Sequence, residues 1–234
     1  MEFPQWISDR VIARQGCLHP YDAFDAATTA FVIVDMQNYF TQPGYQGECT
    51  AARATFPAVR KLAAAMRAAG GHVIWVQTSA DGADGFWSHH HHYMLTPERS
   101  ARRLVELGAQ HAGYAIPEAL APQPTDVRVT KRTYSALAPG SSSLDLELKA
   151  RGIRTVLIGG TVTNVCCEST ARDAMMLDYA TVMVEDALSA VTPEEHVRAL
   201  ENWILFFGDV LGTDEVIDRL RPAQAALAQL TGTR

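Results

Sequence analysis

A chain of 234 residues, 47% hydrophobic and 20% charged, can bury a sizeable core and has the composition of a soluble α/β domain. Its formal net charge of -6 argues against nucleic acid or an anionic membrane as partner. No apolar run approaches the roughly 20 residues needed to cross a bilayer, and the opening Met1-Glu2-Phe3-Pro4-Gln5-Trp6 lacks the basic start and apolar core of a signal peptide.

Residues 1 to 27 read as an N-terminal arm of one domain that fills the chain. Ala30 to Val34 is a continuous apolar run, the pattern of a strand covered on both faces, and it runs into Asp35. The Ala-rich stretch from Ala51 to Ala69 has helical periodicity and is closed by Gly70-Gly71, after which His72 to Gln77 is a second strand. Residues 79 to 97 form an irregular excursion rich in Gly and His. A helix is expected from Pro97 to Leu107 and a strand from Asp126 to Thr130, leading to Lys131. Leu144 to Arg151 is a helix stopped by Gly152, followed by the strand Thr155 to Ile158. Thr181 to Val184 is the last clear strand, Pro193 to Phe206 a helix capped by Thr192, and 214 to 230 a C-terminal helix kinked at Pro222. Strands alternating with helices predict a parallel sheet with helices on both faces.

Gly160 to Asp173, G-T-V-T-N-V-C-C-E-S-T-A-R-D, carries the chemistry. A cysteine where a buried strand gives way to a helix sits near the positive end of the helix dipole, which favours a thiolate, and Thr163 or Asn164 can cap that helix. Taken alone, such a cysteine is more often a small buried hydrophobe, Asp35 a turn residue and Lys131 a surface lysine. Together they place an acid, a cation and a thiol at the carboxyl ends of three strands, where open parallel sheets bind ligands. The four cysteines (Cys17, Cys49, Cys166, Cys167) form no disulfide framework in a chain of this length, and an adjacent pair has poor geometry for a disulfide. Free thiols and a cytoplasmic location are expected.

The segments Val32 to Phe40, Lys131-Arg132-Thr133-Tyr134-Ser135 and Gly160 to Ala174 resemble the isochorismatase-like cysteine hydrolase superfamily, in its amidohydrolase branch. The likeness runs from about Thr28 to Leu220 and is closest to ureido and carbamoyl-amide amidohydrolases, an impression that Tyr134-Ser135 and Phe206 to Val210 support. It implies a three-layer α/β/α sandwich around a mostly parallel sheet of about six strands. Cys166 is then the nucleophile and Cys167 a packed helix residue, with Asp35 and Lys131 completing a triad; sequence physics alone does not separate the two cysteines. The resemblance further implies a non-proline cis peptide at Thr161–Val162 and an oxyanion hole from the Val162 and Cys166 N–H groups. The expected reaction cleaves a small carboxamide or ureido C–N bond through a thioester.

No cofactor or metal is expected. Consecutive residues such as His89-His90-His91-His92 do not converge on one ion, so the run reads as a solvated or pocket-rim loop. The nicotinamidases of the superfamily carry an Asp-x-His metal motif, which does not follow Phe40, and its isochorismatases proper lack the cysteine. Candidate substrate-binding residues are Gln37, Asn38, Phe40, Trp87, Tyr134 and Phe207. Gln77 to Asp81 departs from the ureidoacrylate pattern, which leaves biuret-like compounds, N-carbamoyl amino acids and small amides open. The alternatives are a hydrolase of esters or thioesters with the same triad, and a non-enzymatic redox or interaction module using the vicinal thiols. A homodimer or homotetramer is expected, with a small amide as the only other partner.

Overall fold

The computed structural model describes residues 1–223. Its helices are α1 (Gln5–Gln15), α2 (Asn38–Thr41), α3 (Phe56–Ala68), α4 (Ala83–Phe86), α5 (Pro97–Glu106), α6 (Leu144–Ala150), α7 (Glu168–Met176), α8 (Pro193–Phe206) and α9 (Thr213–Arg219). The strands are β1 (Phe24–Asp25), β2 (Thr29–Val34), β3 (His72–Thr78), β4 (Val127–Lys131), β5 (Thr155–Thr161), β6 (Ala180–Ser189), β7 (Asp209–Leu211) and β8 (Leu220–Arg221). Six of them form one sheet in the order β4-β3-β2-β5-β6-β7, and every pairing in it is parallel.

The alternation of side chains along a strand explains the layers. In β2, Ala30, Val32 and Val34 face a core completed by Leu144 and Leu148 of α6, Ala171 and Ala174 of α7, and Leu200, Trp203 and Ile204 of α8. Phe31 and Ile33 face the opposite way, against Val59, Leu62, Ala63 and Met66 of α3 and Val216 of α9. All six residues of β2 are buried, so the uninterrupted apolar run reflects a strand covered on both sides. Three layers with an all-parallel, six-stranded sheet match the expected architecture.

Several elements depart from expectation. The N-terminal arm is a helix whose Ile7 and Val11 are fully buried against the α8 side of the sheet. Its two apolar anchors, four residues apart in a polar stretch, gave too little periodicity to read. Strand β7 was likewise too short at three residues. The helix expected to begin at Ala51 opens as a 3₁₀ segment over Thr50–Thr55 and becomes α-helical at Phe56, with Pro57 in its first turn. The expected C-terminal helix stops at Arg219; Arg221 precedes Pro222, whose ring disfavours helical backbone there, and pairs as β8 with β1. The rest of that expectation, from 224, lies outside the described residues.

Candidate active site

Four neighbouring strands each deliver one polar side chain to the carboxyl edge of the sheet: Lys131 ends β4, Thr78 ends β3, Asp35 follows β2 and Cys166 follows β5. Asp35 adopts a left-handed backbone, φ 57°, a strained choice for a residue with a Cβ, and its N–H donates to the Val76 carbonyl at 2.8 Å. The side chain is thereby turned inward, where it is completely buried. Lys131 is 1% exposed, and its Nζ lies 2.9 Å from Asp35 Oδ2. The ammonium also donates to Thr78 Oγ1 at 2.6 Å and to the Thr133 carbonyl at 3.0 Å. Thr78 in turn donates to Asp35 Oδ1 at 2.7 Å, linking cation and carboxylate through one hydroxyl.

The fourth member enters through a tight turn. Gly160 has φ 115°, and a Cβ there would run into the backbone of Val34 on the neighbouring strand, so only glycine lets β5 lie this close to β2. The Thr161–Val162 peptide bond is cis, as expected. Residues Thr163–Cys167 then form a π turn that passes directly into α7. The Val162 N–H finds no acceptor among the described residues. Neither Thr163 nor Asn164 caps the helix as expected: Thr163 Oγ1 instead meets His196 Nδ1 at 2.9 Å. Cys166 is 7% exposed and Cys167 fully buried, its sulfur facing the Gly159 carbonyl in the sheet core.

Burial and the neighbouring Asp35 carboxylate push the Cys166 thiol up to about 12, against the opposing pull of Lys131. Lys131 does lower the thiol, but burial and Asp35 outweigh it, so the position at the helix start does not by itself give a thiolate. Burial thus favours the protonated thiol. Burial works against the charge of Lys131, but attraction to Asp35 and Cys166 prevails and its pKa is raised. The ammonium thus stays charged, surrounded by oxygens.

A ring of support fixes this geometry. Gln37 is buried; its Nε2 donates to the Thr78 and Tyr114 carbonyls at 3.0 Å each, and its Oε1 accepts from the Thr78 N–H at 2.7 Å. Both amide protons and one lone pair of Gln37 are thus engaged by backbone, two of the three bonds holding Thr78. Thr170 accepts from the Ala136 N–H at 3.1 Å and donates to the Cys166 carbonyl at 2.8 Å, tying the loop after Lys131 to the cysteine turn. Ser135 donates to Asp173 at 2.6 Å across the same seam.

Trp87 and Tyr134, both candidates for the pocket, pack edge to face with ring centroids 4.8 Å apart. His90 stacks on Trp87 at 4.1 Å and meets Tyr134 at 5.5 Å, making a three-ring cluster. Burial first, then Cys166, raises the Tyr134 pKa. Of the histidine run, expected as a solvated or pocket-rim loop, His89 and His92 are exposed while His90 and His91 are buried, and burial with the repulsion of Arg103 lowers both, His90 to about 4. Among the described residues no three His, Cys, Asp or Glu side chains converge as metal ligands, and no helix is long and apolar enough to cross a membrane.

Three candidates fall elsewhere. Asn38 spends its amide on the Ala112 carbonyl at 2.9 Å. Phe40 packs into a small satellite core with Tyr39, Ala80, Ala83 and Leu107. Phe207 precedes β7, whose first residue pairs with Val182 early in β6, at the amino edge of the sheet; there it stacks on Trp203 and under the Arg172 guanidinium. The residues that sequence reading missed are Thr78 and Thr170. Thr78 was within reach, because the rule that found Asp35 and Lys131 applies to the end of β3 as well.

An all-parallel three-layer sheet with an acid, a cation and a thiol at its carboxyl edge describes a class of α/β hydrolase. Residues 29–215 match the isochorismatase domain, and the chain belongs to that family. It is 37% identical over 206 residues to the ureidoacrylate amidohydrolase RutB of Stutzerimonas stutzeri, covering 82% of each chain. Among solved structures it superimposes on a cysteine hydrolase from Pseudomonas syringae pv. phaseolicola with a TM-score of 0.74 and 32% identity, over 84% of this chain and 93% of that one. An N-carbamoylsarcosine amidase from Thermoplasma acidophilum gives a TM-score of 0.62 at 25% identity, over 80% and 97% of the two chains.

Proposed function

We propose that the protein is a cysteine-dependent amidohydrolase that cleaves a ureido or carbamoyl C–N bond, with Cys166, Asp35 and Lys131 as its catalytic residues. The observation that carries this reading is the buried Lys131–Thr78–Asp35 chain ending beside the Cys166 thiol. The names of the relatives, a ureidoacrylate amidohydrolase and an N-carbamoylsarcosine amidase, support the bond type.

Asp35 takes the proton of Cys166 as the sulfur attacks the carbonyl carbon and the C–S bond forms. The carbonyl electrons move to oxygen, and the Val162 and Cys166 N–H groups receive that charge, at about 3 kcal/mol per well-placed donor. When the oxyanion collapses, the C–N bond breaks and Asp35 returns the proton to the departing nitrogen, giving ammonia or an amine. Water then attacks the thioester carbon while Asp35 accepts its proton; the C–S bond breaks and the sulfur recovers that proton. Lys131 donates no proton. Its charge favours the transient thiolate and keeps Asp35 in place.

Ammonia release from a panel of ureido, carbamoyl and simple amides tests the reading, with wild type beside Cys166→Ala. Release by wild type alone supports it. Release of alcohol from esters without release of ammonia from any amide would instead favour an esterase. A redox role for the vicinal pair fits poorly with Cys167, whose sulfur has no access to solvent.

A further inference from the structure

Strand β6 lies next to β5 in the sheet, and its carboxyl end opens on a cleft of about 250 Å³, close to the small end of ligand pockets. Leu188 and Ser189 of β6 form one wall, Ala51 and Ala54 of the 3₁₀ segment a second, and Pro193 and His196 of α8 a third. No charged side chain lines it, so an ion would lose its hydration there without gaining a partner. The Thr55 and Thr192 hydroxyls in the wall are already committed, to the Ala52 carbonyl and to the cap of α8. His196 is different. Burial, against the pull of Glu185, lowers its pKa, so the imidazole is neutral at pH 7. Its Nδ1 meets the Thr163 hydroxyl at 2.9 Å, while among the described residues its Nε2 has no hydrogen-bond partner. In one tautomer Nε2 donates and in the other it accepts, and the single atom that serves both is a hydroxyl oxygen.

Direct contacts join this cleft to the cysteine turn. Ser189 pairs with Thr161, the first residue of the cis peptide, and its carbonyl accepts from Thr161 Oγ1 at 3.4 Å. His196 holds Thr163, which lies between the Val162 and Cys166 N–H groups assigned to the oxyanion. Thr163 is completely buried, and that imidazole is its side chain's one partner among the described residues. We propose that the cleft is an effector site for a small uncharged alcohol or phenol, whose hydroxyl meets His196 Nε2 and whose presence is felt at the cysteine turn. The hydroxyl fixes the tautomer of the imidazole, and the tautomer decides whether Nδ1 donates to Thr163 or accepts from it. Binding is independent of the reaction catalysed; only the effect on turnover rests on the amidohydrolase reading.

Benzyl alcohol is the probe, with benzoate and benzylamine as charged controls of similar size. Titrated into the wild-type protein, it should shift the His196 imidazole resonance, assigned by its loss in His196→Gln. The shift should saturate at roughly millimolar concentration, as expected for so small a ligand. The amide signals of Thr163 and Cys166 should move with the same midpoint. Ala54→Trp fills the cleft from an exposed position and should weaken the response about tenfold or more. No saturable shift, an equal shift in Ala54→Trp, or charged controls that bind as tightly would each overturn the inference. Turnover gives a separate readout: saturating benzyl alcohol should change kcat for ammonia release by about fivefold in wild type and not in Ala54→Trp. A rise in KM alone, equal in both proteins, means competition at Cys166 and overturns the site. If wild type releases ammonia from no compound, the amidohydrolase reading fails while the resonance shifts still decide the site. If ammonia is released at a rate that the alcohol leaves unchanged, that reading stands and the effector role is overturned.

Discussion

Thr78 couples the two charges of the site, and its hydroxyl is the smallest group whose removal should be felt. Thr78→Val keeps the shape but leaves Lys131 Nζ and Asp35 Oδ1 each one partner short. With a buried polar group worth about 1–3 kcal/mol, kcat should fall roughly tenfold to a hundredfold while the thermal midpoint moves only a few degrees; unchanged kcat would make the bridge incidental. For the two cysteines, Cys166→Ala should abolish turnover and Cys167→Ala should keep most of it, and the reverse result would reassign the nucleophile. A thiol pushed up to about 12 also fixes a pH profile. Alkylation of Cys166 by iodoacetamide should climb close to tenfold per unit from pH 7 to 10, and a plateau below about pH 8 would mean a resting thiolate instead. The charged members of this site were legible because each interrupts or ends a buried apolar run, where an ionisable group is otherwise expensive. Thr78 was not, since a β-branched residue at a strand end looks like any other strand residue. Gln37 was read toward substrate for a related reason: an amide serves backbone and ligand equally well, and only the fold shows that it binds the backbone of Thr78 and Tyr114.

Among the elements, the strand-to-helix turn at β5 is the least tolerant of change. Gly160→Ala adds both a left-handed φ penalty and a collision with rigid backbone of β2. The expected loss is about 3 kcal/mol or more of unfolding free energy in chemical denaturation, with activity lost in whatever still folds. A change below about 1 kcal/mol would show that β2 and β5 can part here. Helix limits were readable where side chains stop the chain: α8 begins at Pro193 because Thr192 and Glu195 form a reciprocal cap. They were not readable where the decision is made between distant segments. Nothing local distinguishes 163–167 as a π turn.

At the scale of the whole molecule, the stretch before the sheet is part of the framework. Besides α1, residue His19 reaches across to the fully buried Asp209 at the start of β7, at 2.8 Å. The hydrogen bond to Asp209 outweighs burial and raises the His19 pKa. A raised pKa stabilises the fold fully below the unfolded value of about 6.5, and the contribution disappears as pH rises through the folded value. The stability gap between wild type and His19→Gln should therefore be larger at pH 6 than at pH 9 in urea titrations, and a gap independent of pH would show that the pair acts through packing alone. Ile7→Ala should cost about 2–4 kcal/mol, read as a lowered thermal midpoint, since it removes buried methyl groups beneath α8. A negligible shift would return α1 to the status of a loose arm.

Because β2 pairs with β5, Asp35 and Cys166 meet only when two stretches far apart along the chain have closed against each other. Such pairings are slow to form, and loop closure opposes them until the intervening segments are in place. A ribosome-bound or half-folded chain therefore carries Cys166 as an ordinary thiol, chemically quiet toward amides. Return of hydrolytic activity after dilution from denaturant should track closure of the central strand pair and lag behind the recovery of helical signal. The active site is thus a reporter of the last long-range step in its own folding.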